Sequence, residues 1–241
     1  MPDLSQPRHF WASRNTSKQP AYSWWSREQR PLTTAETIAD GVVHGVGLAG
    51  AVIAGSILLA VAMLETAPEH VPALALYVLT LIAVLGISMA YNLCPVSPLK
   101  RLLARLDQAA IFLFIAGTYT PFLAVLGGTT VSTVMTSFVW GASLIGVALK
   151  LIVPHRFGRL AILLYLAIGW SGVLVFQSLA RTLPDSTVWL LLAGGVTYSL
   201  GIIFHLWEKL KLQNALWHVF VVLGASFHLW AVMDCMVIQR L

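Results

Sequence analysis

Seven uncharged, mainly apolar runs dominate this chain, at about residues 41–64, 71–94, 108–128, 129–149, 160–180, 186–204 and 215–233. A helix that crosses a bilayer needs roughly 20 such residues, and the sixth run is short and carries Gly194-Gly195 inside it. The third and fourth form one stretch too long for a single helix. Gly127-Gly128-Thr129-Thr130 lies at its midpoint, and paired glycines favour a turn there. Composition agrees: 58% of residues are hydrophobic and 10% charged, whereas a soluble domain carries about 25% charge. That surplus excludes a water-soluble enzyme. Two cysteines exclude a disulfide scaffold and a CxxC metal knuckle. The net charge of +5 does not indicate nucleic acid, because the basic residues fall between apolar runs and form no stripe. The expected fold is all-α, an integral membrane bundle of seven helices.

Residues 1–32 differ in kind, being rich in Pro, Ser, Gln and basic side chains. We read them as a polar, disordered arm and residues 33–241 as the membrane domain. The arm has no apolar core of a signal peptide, and Trp11, Trp24 and Trp25 suit the headgroup level. No internal repeat stands out, which argues against a transporter of inverted halves.

The loops set an expected orientation. With the N-terminus in the cytosol, the inner side receives Arg8, Arg14, Lys18, Arg27, Arg30, Lys100, Arg101, Arg105, Lys150, Arg156, Arg159, Lys209 and Lys211. The outer side receives only Arg181 and Arg240. This is a strong positive-inside bias, and an odd number of spans then puts the C-terminus outside. Cys94 and Cys235 fall at opposite ends and cannot pair within one molecule.

Ionisable groups within spanning helices are costly and are candidates for function. Thr33-x-x-Glu36 has the form of a capping box. Glu36, Asp40 and His44 follow at four-residue intervals, drifting about 80° around the helix, and make one polar stripe. Ser88 and Asn92 repeat the spacing in the second span, and Asn214 and His218 in the seventh. Asp107 opens the third span after Ser97-Pro98, a cap and first-turn proline for a short basic interfacial helix. His205 closes the sixth span. All these groups fall in one layer near the cytosolic face, supplied by five helices. Plainer readings stand beside this one. Glu36 and Asp40 offset a helix dipole, Ser88 bonds the carbonyl one turn back, and His205 is an interfacial histidine. His228 lies roughly 15 Å further along the helix than His218 and reads as a hydrogen-bonded core group outside this layer.

Arg105-Leu-Asp-Gln-Ala-Ala-Ile-Phe-Leu-Phe-Ile-Ala-Gly-Thr-Tyr-Thr-Pro-Phe122 resembles the third helix of the hemolysin III family, the bacterial branch of the progestin and adipoQ receptor superfamily. Glu36…Asp40…His44-Gly-Val-Gly resembles its first-helix motif. Ser88-Met-Ala-Tyr-Asn92 stands where that family has Ser-x-x-x-His. Asn214-Ala-Leu-Trp-His218…Gly224…His228 stands where it has His-x-x-x-His, a Gly and a further His. The resemblance covers about residues 33–237 and implies seven helices with the N-terminus inside. It also implies a zinc ion held by three histidines near the cytosolic face, with the third-helix Asp on the bound water, as in ceramidase-like amide hydrolases. At the positions that matter, Asn92 and Asn214 stand for two of the three histidines, and His218 and Asp107 remain. Amide oxygens suit harder cations than zinc.

The expectation is therefore no cofactor, with zinc disfavoured and His44 or His205 as possible substitute ligands. Asn92, Asn214, His218, Asp107 and Ser88 are predicted to form a hydrogen-bonded network instead. The leading functional reading is a non-catalytic sensor of lipid or membrane state in the bacterial inner (plasma) membrane, with membrane lipid as its partner and no nucleic acid. The alternatives are a metal-dependent lipid amide hydrolase with a rearranged site, then a pore or channel, then a proton-coupled protein using Asp107, His218 and His228.

Overall fold

A computed structural model describes residues 33–153, 158–207 and 209–239. Among the described residues there are eight α-helices: α1 Thr34–Glu65, α2 Val71–Leu93, α3 Pro98–Val125, α4 Thr130–Ile152, α5 Gly158–Gly169, α6 Phe176–Thr182, α7 Asp185–Leu206 and α8 Gln213–Met233. A 3₁₀ segment, Trp170–Val175, joins α5 to α6, so these three pieces make one crossing. Seven helical stretches are long and apolar enough to span a bilayer, and there is no strand among the described residues. This is the architecture of an integral, multi-pass membrane protein. The arm before residue 33 lies outside the described residues, with Trp11, Trp24, Trp25 and the basic side chains assigned to it. Arg156, Glu208, Arg240 and the side chain of Arg159 are likewise undescribed.

Local chemistry sets the helix ends. The expected capping box opens α1: the Glu36 amide donates to Thr33 Oγ1 at 3.3 Å, and Glu36 Oε2 accepts from the Thr33 amide at 2.9 Å. Both donors would otherwise be unpartnered in the first turn. Gly128 adopts φ +69° between α3 and α4, which a residue without a Cβ does freely. Thr129 then caps α4 by accepting from the Ser132 amide at 3.1 Å. Ser97 likewise caps α3 through the Lys100 amide. The basic segment after it is not a separate interfacial helix, contrary to expectation. Pro98–Val125 is one 28-residue helix, because nothing between Pro98 and Asp107 breaks the backbone ladder. Lys100 Nζ turns back to donate to the carbonyls of Tyr91 at 3.1 Å and Cys94 at 2.8 Å, satisfying the end of α2 and offsetting its negative dipole.

Helix α1 packs between α2 and α8, α3 between α2 and α4, and α7 against α8. Glycines permit the close approaches. A Cβ on Gly47 would lie 2.6 Å from Val222 of α8, and one on Gly55 would lie 2.8 Å from Val78 of α2. The tightest approach is Gly117 of α3, where a Cβ would fall 2.0 Å from Thr80 Oγ1. Without a hydrophobic drive between helices in lipid, such small-residue contacts supply the packing energy. At the end where α1 finishes, Asp234 is buried and accepts from Ser186 Oγ at 2.7 Å and Thr187 Oγ1 at 2.5 Å. Thr66 Oγ1 donates there to the Met236 carbonyl at 2.8 Å. These bonds tie α1, α7 and the C-terminal end of α8 together. Cys235 is buried in this layer, whereas Cys94 lies just past the other end of α2.

Candidate functional site

The capping box fixes where α1 starts, and the four-residue spacing then turns Glu36, Asp40 and His44 to one face. All three are buried. Glu36 is engaged in the cap. Asp40 and His44, each 2% exposed, face α8, whose first turn brings Asn214 and then His218 alongside. Leu212 precedes α8 in the left-handed region, at φ 58°. The Gln213 side chain donates to the His205 carbonyl, which fastens the start of α8 to the end of α7. On α2, Ser88 and Asn92 complete the layer.

The polar groups form one network. Asn214 Nδ2 donates to Asp40 Oδ2 at 2.8 Å and to Asn92 Oδ1 at 2.7 Å. Asn92 Nδ2 donates to the Ser88 carbonyl at 2.9 Å and lies 3.4 Å from His44 Nε2. His44 Nδ1 bonds the Asp40 carbonyl at 2.7 Å, and His218 Nδ1 bonds the Asn214 carbonyl at 2.9 Å. A carbonyl only accepts, so both Nδ1 atoms carry the hydrogen, and in the neutral ring Nε2 then carries the lone pair. Both Nε2 atoms lie 3.3 Å from the same hydroxyl, Ser88 Oγ, and Ser88 also hydrogen-bonds the Asp107 side chain.

Ser88, Asn92, Asp107, Asn214 and His218 thus stand together, and Asp40 and His44 stand among them. The other sequence candidates lie apart. His205 packs its ring on Trp217 with centroids 4.9 Å apart. His228 bonds the Leu191 carbonyl at 3.2 Å and meets Tyr198 edge-on, away from His218 as its spacing required.

This layer forms one wall of a cavity of about 1490 Å³ that runs between α3, the α5–α6 crossing, α7 and α8. Asp40, Asn92, Asp107, Asn214 and His218 line its polar end, and Ile115, Leu191 and Leu192 line its depth, where His228 is also reached. Two features of this cavity went unread in the sequence. Lys150, assigned to a loop, is 2% exposed and lines the cavity from the last turns of α4, because α4 continues beyond the apolar run. Tyr119 repairs the break in the fifth crossing. Its hydroxyl donates to the Gly169 carbonyl at 2.7 Å and accepts from the Gly172 amide at 2.7 Å, so backbone groups released from the helix find a partner within the protein. The glycine pair around Trp170-Ser171 was the available signal for that break.

Comparisons with known proteins agree with this architecture. The family model described as Haemolysin-III related matches residues 33–229. Hemolysin-3 of Bacillus cereus is 32% identical over 198 residues, covering 82% of this chain and 90% of that protein. The Hemolysin-3 homolog of Bacillus subtilis (strain 168) is 31% identical over 196 residues, covering 81% of this chain and 92% of its own length. Monocyte to macrophage differentiation factor of Homo sapiens is 28% identical over 127 residues, 52% of each chain.

Proposed function

The chain belongs to the haemolysin-III-related family, and from that premise we propose that it is a non-catalytic, lipid-responsive protein of the plasma membrane. Its N-terminus and polar layer face the cytosol in this reading, on the strength of the loop charges. The observation that carries the proposal is the cavity. At about 1490 Å³ it exceeds the roughly 300–1,000 Å³ of pockets that take drug-sized ligands. Its polar end meets an apolar depth, as a headgroup followed by an acyl chain requires. Lys100, Lys150, Asp40 and Asp107 all line it, so both signs of charge are available to a headgroup.

The resemblance implies zinc on imidazoles at positions 92, 214 and 218. The residues present do not fit that set. Asn92 Oδ1 is engaged by Asn214, and Asn214 turns its nitrogen, not its oxygen, toward Asp40 and Asn92.

Mass spectrometry of lipid extracted from protein purified in mild detergent tests the reading. A near-stoichiometric single species is expected in the native chain, and Leu192→Trp, which fills the cavity, should reduce it severalfold. A native protein without bound amphiphile, or an undiminished variant, would refute it. A second reading, a metal-dependent lipid amide hydrolase, is favoured by the convergence of Asp40, His44 and His218 beside the cavity. Fatty-acid release from a short-chain lipid amide, abolished by His218→Gln, would establish it over the first.

A further inference from the structure

We infer that Asp40, His44 and His218 form a site for one divalent transition-metal ion, with two ligands from α1, one from α8 and none from α2. The ligand atoms of these three residues lie within 4.8 Å of one another, and all three residues are buried. Bonds of about 2.0–2.1 Å from zinc to imidazole nitrogen or carboxylate oxygen place tetrahedral donors about 3.3 Å apart. The three side chains therefore need to close by about 1.5 Å at most, a movement that side-chain torsions supply. Two imidazoles and one carboxylate is a donor set that zinc and other first-row divalent ions accept with a position left open.

Hydrogen-bond accounting supplies independent support. Each ring is held by its Nδ1–H on a carbonyl one turn back, the outer bond that orients a metal-binding histidine. Each Nε2 lone pair then faces Ser88 Oγ, whose single proton cannot serve two imidazoles and the Asp107 carboxyl together, and His44 Nε2 has besides it only a long contact of 3.4 Å from Asn92 Nδ2 among the described residues. Asp40 Oδ1 is buried without any hydrogen-bond partner, while Oδ2 is held by Asn214. A buried carboxylate oxygen left unpaired is unfavourable unless a cation or donor meets it. A single divalent ion among these residues would satisfy that oxygen and both lone pairs at once. Asn92 and Asn214 then act as positioning residues: they orient Asp40 and His44 and are not ligands. The site stands on this ligand geometry and does not depend on what fills the cavity.

The full-length protein in detergent, stripped with chelator and titrated with Co²⁺ and separately with Zn²⁺, tests it. One ion per chain is expected, with a tetrahedral Co²⁺ absorption band. Asp40→Asn, His44→Gln and His218→Gln should each weaken binding by more than the roughly 10–100-fold that outer-shell changes cause. Asn92→Ala should fall within that outer-shell range. X-ray absorption on the native protein loaded with zinc keeps the question open to refutation where a variant does not fold, and two imidazoles per ion are expected. No binding by the folded native chain would overturn the inference, as would binding indifferent to His44→Gln or a single imidazole per ion.

Discussion

The imidazole of His44 on α1 and that of His218 on α8 lie 4.1 Å apart, centroid to centroid, tilted by 54°, and both aim Nε2 at the hydroxyl of Ser88. The contact joins the first crossing to the last through a residue of the second. It makes one hydroxyl the hinge of the polar layer, and its removal should be felt by all three helices.

Ser88→Ala deletes that hydroxyl and takes its one proton from the group that holds two ring nitrogens and the Asp107 carboxyl. A buried group left unsatisfied costs about 1–3 kcal/mol, and the loss should appear in a reversible denaturation curve in mixed micelles. Unchanged stability would mean that water replaces the hydroxyl without loss.

Tyr119→Phe removes the phenol that bridges Gly169 and Gly172 in the broken fifth crossing. Hydrogen exchange at Gly172 should rise by at least about tenfold, corresponding to a lost bond of about 1.4 kcal/mol. Exchange in α1 should not change, and an equal rise throughout would indicate global loosening instead.

Gly117→Ala drives a methyl group into Thr80, with a destabilisation of about 1–3 kcal/mol expected from overpacking. Thr80→Ser removes only part of the obstruction, whereas Thr80→Ala removes the Oγ1 atom itself. Thr80→Ala should therefore recover more of the lost stability than Thr80→Ser when each is combined with Gly117→Ala, and thermal melting of the six proteins in the two cycles measures that coupling.

Asn92→His combined with Asn214→His supplies two more imidazoles to the layer. Zinc affinity in competition with a chromogenic chelator should increase by at least about a hundredfold, a gain of about 2.7 kcal/mol. Either change alone should do much less. A folded double variant that binds zinc no better than the native chain would show that these positions do not face a common ion.

Much of the architecture was legible because lipid imposes simple rules on a chain. Length and apolarity marked the crossings, paired glycines marked the turn before Thr129, and Thr33 with Glu36 marked the start of α1. The four-residue spacing of Asp40 and His44 put them on one face, and that of Asn214 and His218 did the same on α8. Less visible were features that depend on a neighbour. Lys150 read as a loop cation because its burial follows from α4 running on past the apolar run. The break at Trp170 was hidden because its cost is met by Tyr119, 50 residues away from Gly169.

Hydropathy and helical periodicity, both local properties, were enough to establish seven membrane helices and a layer of polar side chains at one end. Which of those side chains meet was decided only by the packing of α1 between α2 and α8. Where glycines such as Gly47 let backbones approach is a matter of shape complementarity between distant segments. No pattern along a single helix encodes which partner fills the groove, and so the convergence of Asp40, His44 and His218 belongs to the tertiary structure alone.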